Sequence, residues 1–397
     1  MRRSPLLIIY MTVFLDLLGF GIILPLLPFY AEQFGATGIW VGALLTAYSA
    51  AQIVGAAFLG RLSDRVGRRP VLLLSLLGSA LSLTVTGFAG SLLVLLAGRA
   101  LAGLFGGSIG TAQAYIADLT KPEERAKYMG LLGASIGMGF VLGPAIGAAL
   151  SQFGFGTAAF VAAALCFANF VFAVLRLPES RQPGATLRPR ASLTLTNFVD
   201  ALQHPSVGRI LISTFLVTFA FVGMEATAAL FGEHRLGLTS SGLGIGFAFI
   251  GVIIVVVQGG LIGRLVKRYG ERTIAATGGV LMAVALLLIP LIPGLVFAAV
   301  VVAVLAVGQG LSSPTLSTLL SREADADEQG GTLGMGQSLS ALARAVGPLV
   351  AGALFDLGEG LPFYLGAVLC LIAAWQIRSY VVLPKESATP AESAAGR

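Results

Sequence analysis

Charge is what this chain has least of. Lys, Arg, Asp and Glu make up 11% of its 397 residues, about half the share of an average soluble domain, which excludes a solvated surface of ordinary size. Histidine and cysteine are scarcer still, with two of each. His204 and His234 are separated by a long apolar run, and Cys166 and Cys370 lie inside such runs. That leaves no disulfide framework, no Cys-pair or histidine-rich metal motif and no nucleophile beside a base. The chain is not expected to be an enzyme or to hold a resident cofactor. What it has in quantity is apolar: 56% of residues are hydrophobic, and 52 are glycine.

Apolar runs of about twenty residues, the length that crosses a bilayer core as helix, follow one another from Leu6 to Leu383. They are too long for barrel strands. The reading is an all-α integral membrane protein, with twelve spans near residues 6–30, 38–60, 70–89, 92–117, 128–151, 156–177, 208–231, 241–263, 273–292, 295–318, 330–355 and 360–383. The first run keeps Asp16 and ends at Pro25 and Pro28 with no small-residue cleavage site, so it reads as a retained helix. The formal charge of +6 suggests a nucleic-acid partner until it is mapped. Of 25 Lys and Arg, only Arg235 falls on an odd-numbered loop, and only Arg99 and Arg344 fall inside spans away from the helix ends beside the even-numbered loops, the amino end and the tail. The positive-inside rule then places both termini in the cytoplasm, and the basic balance reports topology.

The chain is built twice. Gly60-Arg61-Leu62-Ser63-Asp64-Arg65-Val66-Gly67-Arg68-Arg69-Pro70 recurs in outline from Gly263 to Arg272, Gly143-Pro144 returns as Gly347-Pro348, and Leu165-Cys166 as Leu369-Cys370, an offset of 203 to 204. Each half has an even number of spans, so both insert the same way, as parallel repeats about an axis along the membrane normal. The expected units are a six-helix bundle over 1–178, a cytoplasmic connector over 179–206, a second bundle over 207–384 and a tail over 385–397. Within the connector, Leu195, Phe198, Val199 and Leu202 fall at helical spacing and predict a short amphipathic helix.

The Gly60-to-Pro70 stretch, read as a polar loop after the second span, resembles the signature loop of the major facilitator superfamily. Asp16-Leu17-Leu18-Gly19-Phe20-Gly21 followed by Pro25 and Leu27-Pro28, Arg99 with Gly103, Gly106 and Gly107, and Gly139 to Gly147 resemble further motifs of its twelve-helix drug:proton antiporter branch. The resemblance covers Leu6 to Leu383. It implies two pseudo-symmetric six-helix bundles in a bacterial inner membrane. It also implies proton-coupled efflux of lipophilic small molecules by alternating access, driven by the proton gradient, in a monomer with lipid as its surroundings. By resemblance, Gly60, Asp64, Arg65, Arg68 and Asp118 gate the cytoplasmic side, with Asp64 facing the eleventh span and Arg65 or Arg68 reaching Asp118. In the second copy Val266 and Lys267 replace Ser63 and Asp64, so the lock is expected to be asymmetric. Gly139, Gly143, Pro144 and Gly147, with Gly347 and Pro348, let helices pack closely; by resemblance this pattern accompanies exporters that exchange protons for drug.

Charges inside spans are costly, at about 2.5 to 3.5 kcal/mol each near a helix centre. Asp16 either carries a proton or caps a break near Gly19 and Gly21. Arg99 assists proton transfer by resemblance, or serves as a fixed partner for a carbonyl or carboxylate. Glu225, close to Phe221 and Met224, suits a lipophilic cation or titrates with the proton; otherwise it pairs with Arg344. Arg344 neutralises Glu225 or receives an anionic headgroup, and with Arg99 it would equip a transporter of an anionic metabolite or lipid. Tyr48, Gln52, Gln113, Tyr115, Gln258, Gln309 and Gln337 can hydrogen-bond substrate or one another. Tetracycline exporters carry acids at positions matching Ser82 and Met282 and a histidine near Val255; their lack here argues against metal-chelated tetracycline as the main substrate.

Overall fold

A computed structural model describes residues 3–180, 195–323 and 329–379, all helices and turns with no strand among them. Twelve helices are long and apolar enough to span a membrane: α1 (Pro5–Ile23), α2 (Gly38–Val66), α3 (Arg68–Gly87), α4 (Leu92–Leu119), α5 (Lys127–Phe153), α6 (Phe155–Arg176), α7 (Val207–Leu236), α8 (Ser240–Tyr269), α9 (Glu271–Leu291), α10 (Leu295–Glu323), α11 (Gly331–Leu357) and α12 (Leu361–Ser379). Each overlaps the span expected from the sequence.

Several ends shift by a few residues, and two of the differences have a clear physical reason. The first span stops at Ile23 and a short helix follows over Leu27–Glu32. Pro25 has no N–H to donate and disfavours helix at the residue before it, while Pro28 fits a first turn. The Gly60-to-Pro70 stretch is mostly helix rather than loop, because α2 runs on to Val66 and α3 starts at Arg68. Only Gly67 breaks the path, at φ 105°, a region glycine enters without strain. Gly270 repeats the device in the second half, at φ 78°.

The short connector helix forms over Leu195–Gln203, and Phe198 and Leu202 pack on the carboxy-terminal bundle. Residues 181–194 of the connector, and the tail, lie outside the described residues. Inside each bundle glycine sets the spacing. A methyl on Gly143 would sit 2.7 Å from Gly21 Cα, and one on Gly347 would sit 2.8 Å from Val222. Those glycines therefore face α1 and α7 of their own bundles.

The bundles meet each other through the neighbouring prolines. Gly244 of α8 lies against the Pro144 carbonyl, and Gly42 of α2 lies against that of Pro348. These contacts fall toward the face away from the basic turns. Toward the basic face, a methyl at Gly130, Gly133, Gly259, Gly260 or Gly263 would meet nothing within 4 Å. The bundles touch at the far face, whereas these glycines near the basic face are uncovered.

Candidate functional site

Asp16 lies within α1, and two serines hold it. Ser79 Oγ of α3 donates to Oδ1 at 3.1 Å and Ser108 Oγ of α4 to Oδ2 at 2.6 Å. Ser108 arrives there because α4 breaks between Phe105 and Ser108, where Gly106 and Gly107 interrupt the helix. One turn toward the basic face, Thr12, Ser75 and Thr111 bury hydroxyls that find no partner, on the same three helices. The sequence reading missed both serines; their one signal is spacing, since Ser75 and Ser79 share a face of α3.

Arg99 is buried, at 2% exposure. Its Cζ stands 4.5 Å from the Tyr48 ring centroid and 5.4 Å from that of Phe20, a cation held by two aromatic faces. Nε and Nη2 find no hydrogen-bond acceptor. Two idle guanidinium donors away from water are costly, and they suit an oxygen-bearing anion. Asp16 is not hydrogen-bonded to Arg99; it takes the serines instead.

Across the opening, Glu225 of α7 and Arg344 of α11 lie within electrostatic reach of each other. Arg344 is exposed between buried Ala343 and Ala345. It also feels Tyr48, which in turn feels Asp16 and Arg99. Tyr48 is thus the group on which charges from both bundles converge. Phe221 is half-buried against the core.

The polar candidates separate. Gln52 Nε2 donates to the Gly106 carbonyl at 3.1 Å and to Tyr48 Oη at 3.4 Å, so it ties α2 to the break in α4. Tyr115 is fully buried, and its hydroxyl donates to the Pro178 carbonyl at 2.8 Å, the interhelical role of the two open to it. Gln113, Gln258 and Gln337 are exposed, Gln258 within a π-turn over Val257–Leu261. Gln309 buries an Oε1 without a donor. Of the positions expected to differ from tetracycline exporters, Ser82 donates to the Gly78 carbonyl at 2.6 Å and Met282 is fully buried. A cavity of about 430 Å³ lies apart from these charges, within the carboxy-terminal bundle, walled by apolar groups including Met224, Phe231, Ile250, Val302 and Phe363.

At the signature corner Arg68 is the organiser. Nη1 pairs with Asp64 at 2.6 Å and Nε with Asp118 at 3.2 Å. Of the two arginines that the resemblance offers, Arg68 pairs with Asp118. Glu179, absent from the sequence reading, receives the Arg68 and Arg69 backbone N–H groups and caps α3 from the connector side. In the second copy Glu271 pairs with Arg322 at 2.8 Å. Those positions match Arg68 and Asp118 at the repeat offset, so the pair is kept with its charges exchanged. On the far face, Asp356 of α11 accepts from Gly38 N at 2.6 Å and Ile39 N at 2.9 Å. Thr37 supplies no side-chain cap there, so the cap of α2 comes from the other bundle.

The profile of the Major Facilitator Superfamily matches residues 9–348 and 259–397. The class C tetracycline resistance protein of Escherichia coli is 32% identical over 95% of this chain and 97% of its own length. Multidrug resistance protein 2 of Bacillus subtilis is 28% identical, covering 94% of each. Among solved structures, the human organic anion transporter MFSD10 (TETRAN) superposes with a TM-score of 0.71 at 27% identity, over 94% of this chain and 99% of that one.

Proposed function

The chain belongs to the Major Facilitator Superfamily, a family of transporters rather than enzymes, and on that premise we propose that it is a proton-coupled exporter of lipophilic small molecules. The observation that carries the reading is a pair of embedded carboxylates on pseudo-equivalent helices. Asp16 sits on α1 of one bundle and Glu225 on α7 of the other, and both lie near Tyr48 or its charged neighbours. Each is a place where a proton exchanges against a substrate. The names of its relatives, a tetracycline and a multidrug resistance protein, support drug efflux.

With the basic face in the cytoplasm, the arrangement is an inward-open one. Substrate enters from the cytoplasm or inner leaflet, the bundles rock about the glycine contacts, and protonation of Asp16 and Glu225 from outside accompanies release. Asp64, Arg68 and Asp118 gate the cytoplasmic side. A specific observation favours a second reading, an anionic substrate: Arg99 keeps two unused donors, Arg344 stands exposed at the opening, and one similar structure is an organic anion transporter.

Binding of tetraphenylphosphonium and tetraphenylborate, matched in shape and opposite in charge, separates the two. The first reading expects the cation to bind and Glu225→Gln to weaken it tenfold or more. Preference for the anion, lost in Arg344→Gln, supports the second.

A further inference from the structure

At the far face the two bundles meet through charge as well as glycine. Glu32, at the end of the short helix after α1, comes from the amino-terminal bundle. On the other bundle, the charged groups of this face are Glu233, His234 and Arg235 at the end of α7, Asp356 at the end of α11, and Glu359 in the following turn. His234 stands between the bundles, with Nδ1 3.1 Å from Glu359 Oε1 and Nε2 3.7 Å from Glu32 Oε1. Arg235 Nε donates to Glu359 Oε2 at 3.0 Å, and Asp356 is taken by the start of α2. Glu32 and Glu233 lie within hydrogen-bonding reach of each other, and Glu233 Oε2 is buried with no donor. Two ionised carboxylates have no hydrogen to share, so the contact is satisfied only when one holds a proton.

We propose that Glu32 and Glu233 form a second proton site, at the mouth rather than mid-membrane, whose shared proton holds the two bundles closed on that face. The proposal rests on the exporter reading only for which side this face is on. Burial first, and Glu233 second, push the Glu32 carboxyl up to about 7 in the closed form. Glu359 differs: burial pushes its carboxyl up, but hydrogen bonds from His234 and Arg235 outweigh that and hold it below the usual range.

The closed form therefore binds the proton more tightly than the parted form, in which Glu32 returns toward an ordinary glutamate value. Acid favours closure, and the advantage is lost as pH rises through about 7; the closed-to-open ratio falls about tenfold between pH 6 and pH 8. Outside acid would thus shut the outer mouth after release and turn the empty carrier inward.

Spin labels at Gly90→Cys and Gly294→Cys read the mouth, since both positions lie on far-face turns with nothing within 4 Å and both native cysteines are buried. In full-length protein in lipid nanodiscs, the short-distance population should give that tenfold fall from pH 6 to pH 8. Glu32→Gln and Glu233→Gln should stay closed at pH 8. A pH-independent distance in the otherwise unaltered protein, or a wild-type midpoint in both Gln variants, overturns the proposal. Asp16→Asn should keep the midpoint. A response lost there and retained in Glu32→Gln would assign the effect to Asp16 and leave the exporter reading standing.

Discussion

Asp356→Ala should tip the transporter away from the arrangement described here. The carboxylate receives two backbone N–H groups, at 2.6 and 2.9 Å, from the first turn of a helix in the opposite bundle. Net values for hydrogen bonds to a charged group run about 1.5 to 3 kcal/mol each, and the helix dipole adds about 0.3 to 1 kcal/mol. One of the two bonds is exposed to solvent, so the sum is discounted to about 3 kcal/mol. All of it belongs to the state with the far face closed, because Thr37 offers no substitute cap once the bundles part. A shift of that size is about a 150-fold change in the closed-to-open ratio. The labels at Gly90 and Gly294 read it as growth of the long-distance population, and Asp356→Asn, which keeps one acceptor, should fall between. A variant whose distances match those of the unaltered protein would refute the claim that this cap ties the bundles together.

Three further outcomes follow from contacts inside the bundles. Gly143→Val places a branched side chain against Gly21 Cα, where even a methyl would sit at 2.7 Å; overpacking of this kind costs about 1 to 3 kcal/mol, read as a lower thermal midpoint in detergent. Arg99→Lys keeps the charge but gives up the planar stack on Tyr48 and Phe20, worth about 2 kcal/mol where water is excluded, and an unchanged midpoint would remove that stack from the account. Tyr115→Phe leaves the Pro178 carbonyl without its donor; stability should drop by about 1 kcal/mol while substrate affinity stays constant, and a change in affinity would return Tyr115 to the binding site.

The twelve spans and the repeat were legible in the sequence because hydrocarbon enforces long apolar runs, and because glycine and proline positions recur at a fixed offset. The embedded charges were legible for the same reason, since a charge in such a run stands out. The partners of Asp16 were not. Ser79 and Ser108 are ordinary residues in their helices, and only the break at Gly106 and Gly107 turns Ser108 toward Asp16. Asp356 and Glu179 act through caps on helices distant in the chain, a relation with no local signal. The stretch from Gly60 to Pro70 read as a loop because its charge marks the end of a span, yet charge at a membrane surface does not prevent helix, and one glycine suffices for the turn. Tyr115 shows the converse: a polar tip on a span read as a ligand is spent on a backbone carbonyl.

Asp16 and Glu225 are proposed to exchange protons against a substrate. The most direct test loads proteoliposomes with a pH indicator, adds the tetraphenyl ion that binds, and follows proton movement as that ion is transported. Stoichiometric counter-movement is expected in the unaltered protein, falling at least tenfold in the Asp16→Asn, Glu225→Gln double variant while binding persists. Proton-driven transport at an unchanged rate in that double variant would contradict it.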